Sequence, residues 1–242
     1  MEQAHREGTT HETCDMNNAR IQAAISTALE RFSGQSAVLY GSYANDTADE
    51  HSDIDILIID SNDAAPIRFE DEQIDQVHID LTIGGRTTYL RKLITRTKYN
   101  NNWILNAFYE CRILRDIDER AAYLKQASQR IFGDGPIVMT REEVEQGCAI
   151  MRRQLFKVET MQYRNQVSPA VAKATQIRCD QIAYQAIYLY FCARRRWTMS
   201  LPKLLDLCSR DYPAVYALWT EYASEGDLLR ALPVIKRLVN LV

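Results

Sequence analysis

Residues 38–60 read VLYGSYANDTADEHSDIDILIID, and this stretch decides the fold. The apolar run from Ala37 to Tyr40 ends on Gly41-Ser42, the pattern of a short buried strand closing on a small-residue turn. Ten residues separate Ser42 from Asp53, after which Asp53-Ile54-Asp55-Ile56-Leu57-Ile58-Ile59 reads as a second strand. Side chains alternate across a strand, so Asp53 and Asp55 share one face while Ile54 and Ile56 occupy the other. Carboxylates on alternate residues stand about 6.6 Å apart at Cα, and their side chains can converge on a pair of Mg²⁺ ions about 3.5–4 Å apart. Such ions clamp a triphosphate and activate an attacking hydroxyl. Gly41 lets the backbone approach a phosphate with no Cβ in the way, and Ser42 adds a hydroxyl donor beside exposed backbone N–H groups.

A third carboxylate follows in Val77-His78-Ile79-Asp80-Leu81-Thr82-Ile83, where apolar residues alternate with His78, Asp80 and Thr82. This predicts a half-buried strand with Asp80 on its polar face. Paired beside the first two strands, it completes a three-carboxylate metal site of Asp53, Asp55 and Asp80. The plainer alternative is that these aspartates are solvated residues on exposed strand faces. Asp is depleted in strands, so three of them on matched faces beside a Gly-Ser turn favour metal binding.

At these residues the chain resembles the nucleotidyltransferase superfamily, whose fold is shared with DNA polymerase beta. The family pattern is an apolar residue, a Gly-Ser or Gly-Gly pair, a gap of about ten residues, Asp-x-Asp between apolar residues, and a later strand carboxylate. Tyr40-Gly41-Ser42, Asp53-Ile54-Asp55 and Asp80 match it. Length and layout are most similar to the bacterial antibiotic nucleotidyltransferases of the kanamycin and streptomycin type, which join this domain to a helical one. The chain departs from many relatives in one place: where they carry a Gly shortly after the Gly-Ser pair, it has Asn45-Asp46.

The rest of the chain bounds the setting. Its 242 residues suit one large or two small domains, and 46% hydrophobic with 25% charged residues is ordinary for a globular protein. A net charge of −3 argues against binding long nucleic acid, which needs a basic field to displace counterions. No membrane span or signal-peptide core is apparent, so a cytoplasmic protein is expected. Cys14, Cys111, Cys148, Cys179, Cys192 and Cys208 show no C-x-x-C spacing and are expected as buried thiols.

Asn17 or Asn18 can cap a helix to about Arg31, with Ile21, Ile25, Ala28, Leu29 and Phe32 as its apolar stripe. Strands near 37–40, 53–59 and 77–83 follow, and from Thr87 to Phe132 the pattern is helical, which confines the expected sheet to the early chain. Gly133-Asp134-Gly135-Pro136 is the clearest breaker cluster. The expected architecture is therefore α+β, with a small mixed-sheet nucleotidyltransferase domain over residues 1–135 and an all-α helical bundle over 136–242. Thr140 to Glu143 forms a capping box opening a helix to about Asn165, and Ser168-Pro169 caps a second reaching about Arg194. Shorter helices are expected near 201–209, 212–224 and 226–241.

The resemblance implies an enzyme that moves a nucleoside monophosphate, with AMP from Mg-ATP as the expected donor, to a hydroxyl of a small molecule, and releases pyrophosphate. Asp53 and Asp55 would hold both metals, Asp80 would hold the catalytic metal, and Gly41-Ser42 would grip the β- and γ-phosphates. An antibiotic is the resemblance-led acceptor, a biosynthetic intermediate is equally open, and so is homodimerisation. In such enzymes the cleft between domains holds nucleotide and acceptor. Lys173, Arg178 and Lys203 are candidates to reach the triphosphate, against the alternative of ordinary solvated helix charges. Kanamycin-type enzymes take a general base from the helical domain. Glu142, Glu143 and Glu145 occupy the comparable region; the capping box engages Glu143, which leaves Glu142 or Glu145 to face the cleft, Glu145 being the one named, against the plainer alternative of acidic residues favourably placed at a helix N-terminus. The rival function is a toxin–antitoxin type enzyme that nucleotidylates a protein or a tRNA.

Overall fold

The alternation in residues 53–59 and 77–83 becomes two adjacent parallel strands inside a five-stranded mixed sheet in the computed structural model, which describes residues 19–95, 103–163, 168–226 and 228–242. The elements of the first part run α1 (Ala19–Glu30), β1 (Ser36–Tyr40), α2 (Gly41–Ala44), β2 (Ile54–Asp60), β3 (Arg68–Ile74), β4 (Val77–Gly85), α3 (Arg86–Ile94), α4 (Trp103–Glu110), β5 (Arg112–Arg115) and α5 (Arg120–Asp134). Strand order is β3-β4-β2-β1-β5. Only β2 and β4 run parallel; β1 is antiparallel to β2 and β5, and β3 to β4.

One sheet face is apolar because Ala37, Leu39, Ile54, Ile56, Ile58, Ile79, Leu81 and Ile83 all fall on it, and it is covered by Ile21, Ala24, Ile25, Ala28 and Leu29 of α1. The whole stripe expected of α1 is thus buried, while its Asn17 or Asn18 cap lies outside the described residues. The helix ends as Ser33-Gly34 suggests, and its last carbonyls find a donor in β5. The Arg115 guanidinium reaches the Phe32 and Leu29 carbonyls, and its Nε donates to Gln35 O at 2.7 Å. On the opposite face the buried Tyr89 of α3 donates its hydroxyl to Thr82 O at 2.7 Å and meets Phe108 of α4 edge to face.

Two strands differ from expectation. The edge strand β3 falls in a stretch not expected as strand, and β5 returns to the sheet after α4, so the sheet is not confined to the early chain. Arg68-Phe69-Glu70-Asp71-Glu72-Gln73-Ile74 carries no apolar alternation, and what holds it is the β4 ladder together with Arg31, the first residue after α1, which pairs with Glu70 and Glu72. The four residues of β5 are too few for a periodic signal between two helices.

The remaining helices are α6 (Arg141–Tyr163), α7 (Pro169–Ala193), α8 (Leu201–Asp211), α9 (Pro213–Ser224) and α10 (Leu228–Leu241). Among the described residues, one compact unit takes in those up to Thr95 with Ile104–Gly133, and another takes in Trp103 with those from Asp134 to Val242. The second is held by Met151, Leu155 and Val158 of α6, Ile182, Ala183 and Ala186 of α7, Leu218 of α9, and Ile235 and Leu238 of α10. Both expected caps form. Thr140 Oγ1 accepts from the Glu143 N–H at 3.2 Å while Glu143 Oε2 accepts from the Thr140 N–H at 3.0 Å, and Ser168 accepts from the Val171 N–H at 3.4 Å. Cys111, Cys148, Cys179, Cys192 and Cys208 are buried free thiols, as expected, and Cys14 lies outside the described residues. No described helix is long and apolar enough to cross a membrane.

Candidate active site

Register brings the acidic residues together. Asp55 of β2 stands opposite Tyr40 of β1 on one side and Asp80 of β4 on the other, and Asp80 in turn stands opposite Asp71 of β3. Partners in register point to the same face, so Tyr40, Asp55, Asp80 and Asp71 form a row across the sheet. Asp53 lies one residue before β2, and because Ile54 is level with Ile79, it is carried to the end of β4 where His78 sits.

The outcome is a cluster of three ligands of two types. One oxygen each from Asp53 and Asp80 and one ring nitrogen from His78 lie within 4.8 Å of one another. The Asp80 carboxyl is pushed above the ordinary carboxylate range, first by burial, then by its hydrogen bond with Asp71 and by the negative charge of Asp53, with His78 opposing. Its Oδ1 is buried without a hydrogen-bond partner. Crowded carboxylates with an unsatisfied buried oxygen are a donor set suited to a divalent cation, so the residues fit the metal that the family implies.

Asp55 occupies a different niche. Gly41 opens α2 with φ +72, and a Cβ placed on it would lie 2.1 Å from Asp55 Oδ2. Only glycine leaves room for that carboxylate while adopting a left-handed backbone. The Tyr40 hydroxyl is pushed well above its ordinary range by burial first, then by the charge of Asp55, to which it also hydrogen-bonds. Behind Gly41, Ser42 O accepts from the backbone N–H groups of Asn45 and Thr47 at 3.2 and 3.0 Å. Asp46 sits at φ 56, a left-handed conformation that Asp tolerates better than most residues, so the Asn45-Asp46 departure is accommodated in the backbone without glycine. Asn45 Nδ2 donates to Glu110 Oε2 at 2.8 Å, and Arg112 pairs with Asp46, which ties the loop to α4 and β5.

The other expected site residues belong to the helical unit. Glu145 lies on α6, exposed, with Arg141 Nε 2.8 Å from its Oε1. Glu143 is engaged in the capping box. Lys173 and Arg178 are exposed on α7, and Lys203 is exposed on α8. His78 and Asp71 enter the site without having been assigned to it from sequence. His78 was within reach, since it alternates with Asp80 on the polar face of one strand; Asp71 was hidden in a strand with no strand-like pattern.

A Gly-Ser turn against the carboxylate of one strand, with acidic residues brought level on a parallel neighbour, is the arrangement expected of the nucleotidyl-transferring class. Residues 22–165 match the nucleotidyltransferase domain family, and the chain belongs to that family. It is a nucleotidyltransferase enzyme. Among solved structures, a nucleotidyltransferase-like protein from Exiguobacterium sibiricum is similar with a TM-score of 0.49 and 12% identity, over 91% of this chain and 74% of that one. No curated protein matches the chain.

Proposed function

We propose that the enzyme transfers AMP from ATP to a hydroxyl of a small molecule, an antibiotic or a biosynthetic intermediate, and releases pyrophosphate. The observation that carries this reading is the register of Asp55 with Asp80, next to Asp53 and the Gly41-Ser42 turn. Asp53, Asp55 and Asp80 are the residues that would hold Mg²⁺, two ions in the full complement. When bound, the ions would neutralise triphosphate charge and acidify the attacking hydroxyl.

The chain's own residues supply positioning and proton transfer. Gly41-Ser42 offers backbone N–H groups and a hydroxyl to the β- and γ-phosphates. Tyr40 fixes the Asp55 carboxylate by donating its hydroxyl to it. Asp80, beside the catalytic metal in this reading, is the carboxylate that would take the proton of the acceptor hydroxyl. Lys173 and Lys203 as phosphate contacts, and Glu145 as an alternative proton acceptor, enter on family resemblance alone. The net charge of −3 favours a small acceptor over tRNA.

The test offers each α-labelled NTP with Mg²⁺ against panels of aminoglycosides, lincosamides, proteins and tRNA. Label on a small molecule, strongest from ATP, supports the reading. Label confined to a protein or to tRNA replaces it with the toxin–antitoxin alternative.

A further inference from the structure

The cluster that the fold assembles is not purely carboxylate. Asp53, His78 and Asp80 are the one group of three or more His, Cys, Asp or Glu residues among those described whose ligand atoms all lie within 4.8 Å. Asp55, with its carboxylate against Gly41 and Tyr40, is outside that group. The parallel ladder explains the membership. His78 precedes Asp80 by two residues on the same face of β4, and the chain entering β2 brings Asp53 level with it.

His78 Nδ1 and Asp80 Oδ1 are 3.6 Å apart. That is too long for a hydrogen bond, and Asp80 Oδ1 is buried with no hydrogen-bond partner of any kind. Two donors each about 2.1 Å from a shared cation are separated by about 3.0–3.4 Å at octahedral to tetrahedral angles. The pair is therefore a few tenths of an ångström from the spacing of two ligands on one ion.

We propose that His78 is a direct metal ligand beside Asp53 and Asp80, and that its imidazole moves the preference of the site from Mg²⁺ towards Mn²⁺. The proposal rests on the nucleotidyltransferase reading of this site. Mg²⁺ is a hard ion that takes oxygen donors and keeps its waters, whereas imidazole nitrogen favours first-row transition ions. Among first-row ions Mn²⁺ is the one whose preference for carboxylate oxygen the two aspartates also meet, with the imidazole as the added donor.

The experiment titrates the full-length, metal-free protein with Mn²⁺ and separately with Mg²⁺, with and without a non-hydrolysable ATP analogue, and records pulsed electron paramagnetic resonance of the Mn²⁺ form. Wild type should show ¹⁴N coupling from a directly bound imidazole. His78→Gln should lose that coupling and bind Mn²⁺ at least about tenfold more weakly, with Mg²⁺ binding changed less than about threefold. Because His78 is half exposed, the variant is expected to melt as wild type does. Absence of ¹⁴N coupling in wild type, or equal Mn²⁺ affinity in His78→Gln, overturns the proposal while leaving an all-oxygen nucleotidyltransferase site in place. Asp53→Asn and Asp80→Asn separate the two readings: both should lose both metals, and a wild type that binds neither ion overturns the metal site itself.

Discussion

Replacing Gly41 by alanine probes the contact on which the site is built. At φ +72 an alanine pays about 1–2 kcal/mol for the left-handed backbone. Its Cβ would also stand 2.1 Å from Asp55 Oδ2 and 3.0 Å from Asp55 Cγ, so the carboxylate must turn away and leave the Tyr40 hydroxyl. A side chain driven off its rotamer costs about 0.5–1.5 kcal/mol more. Together these give a loss of about 1.5–3.5 kcal/mol. For a chain of this size that lowers Tm by about 3–14 °C, read by differential scanning calorimetry. Nucleotidyl transfer should fall more than stability does, by about a hundredfold or more, because displacing a positioning group by an ångström is costly in rate. Gly133→Ala is the control. It lies in α5 with nothing within 4 Å of the added Cβ, and should be neutral or gain up to about 1 kcal/mol. A Gly41→Ala enzyme with wild-type Tm and wild-type turnover would refute the packing of Asp55 against Gly41 and the role drawn from it.

Asp80→Asn should abolish transfer and leave the metal-free protein at least as stable as wild type, because it relieves the crowding with Asp53 and Asp71. The pH dependence has a definite sign. With a folded pKa above its ordinary 3.8, ionised Asp80 disfavours the fold, so wild type should lose stability relative to Asp80→Asn as pH rises from below 3.8 through the raised folded value, and denaturant melts of the metal-free proteins across that range should show the gap widen and then level. Arg31→Ala should cost up to about 1 kcal/mol by freeing Glu70 and Glu72 of β3 from the turn that follows α1, with earlier amide exchange in β3 than in β4. Thr140→Ala removes the Oγ1 arm of the capping box, leaving the residue's backbone N–H to Glu143, and should cost about 1 kcal/mol in urea unfolding of the helical unit.

Legibility in the sequence followed how locally each feature is determined. β2 and β4 were readable because burial of one face imposes a period of two on Ile54, Ile56 and Ile58 and on Ile79, Leu81 and Ile83. The caps at Thr140 and Ser168 were readable because a cap is settled within four residues. β3 was not, because its stability comes from the β4 ladder and from Arg31, far away in sequence. In the site, the alternation around Asp53, Asp55 and Asp80 was visible, but their division was not. Whether Asp55 turns to Gly41 and Tyr40, and whether His78 joins Asp53 and Asp80, depends on strand register, which no single strand's pattern contains.

The most direct test of nucleotidyl transfer follows the two ends of the triphosphate separately. Purified enzyme, divalent metal and the acceptor found in the panel are incubated with ATP labelled at the α-phosphate or, in parallel, at the γ-phosphate. The α-label should appear on the acceptor, whose mass rises by one AMP residue, while the γ-label leaves in pyrophosphate. An acceptor that carries the γ-label and gains only the mass of a phosphate, with ADP released, would contradict the account.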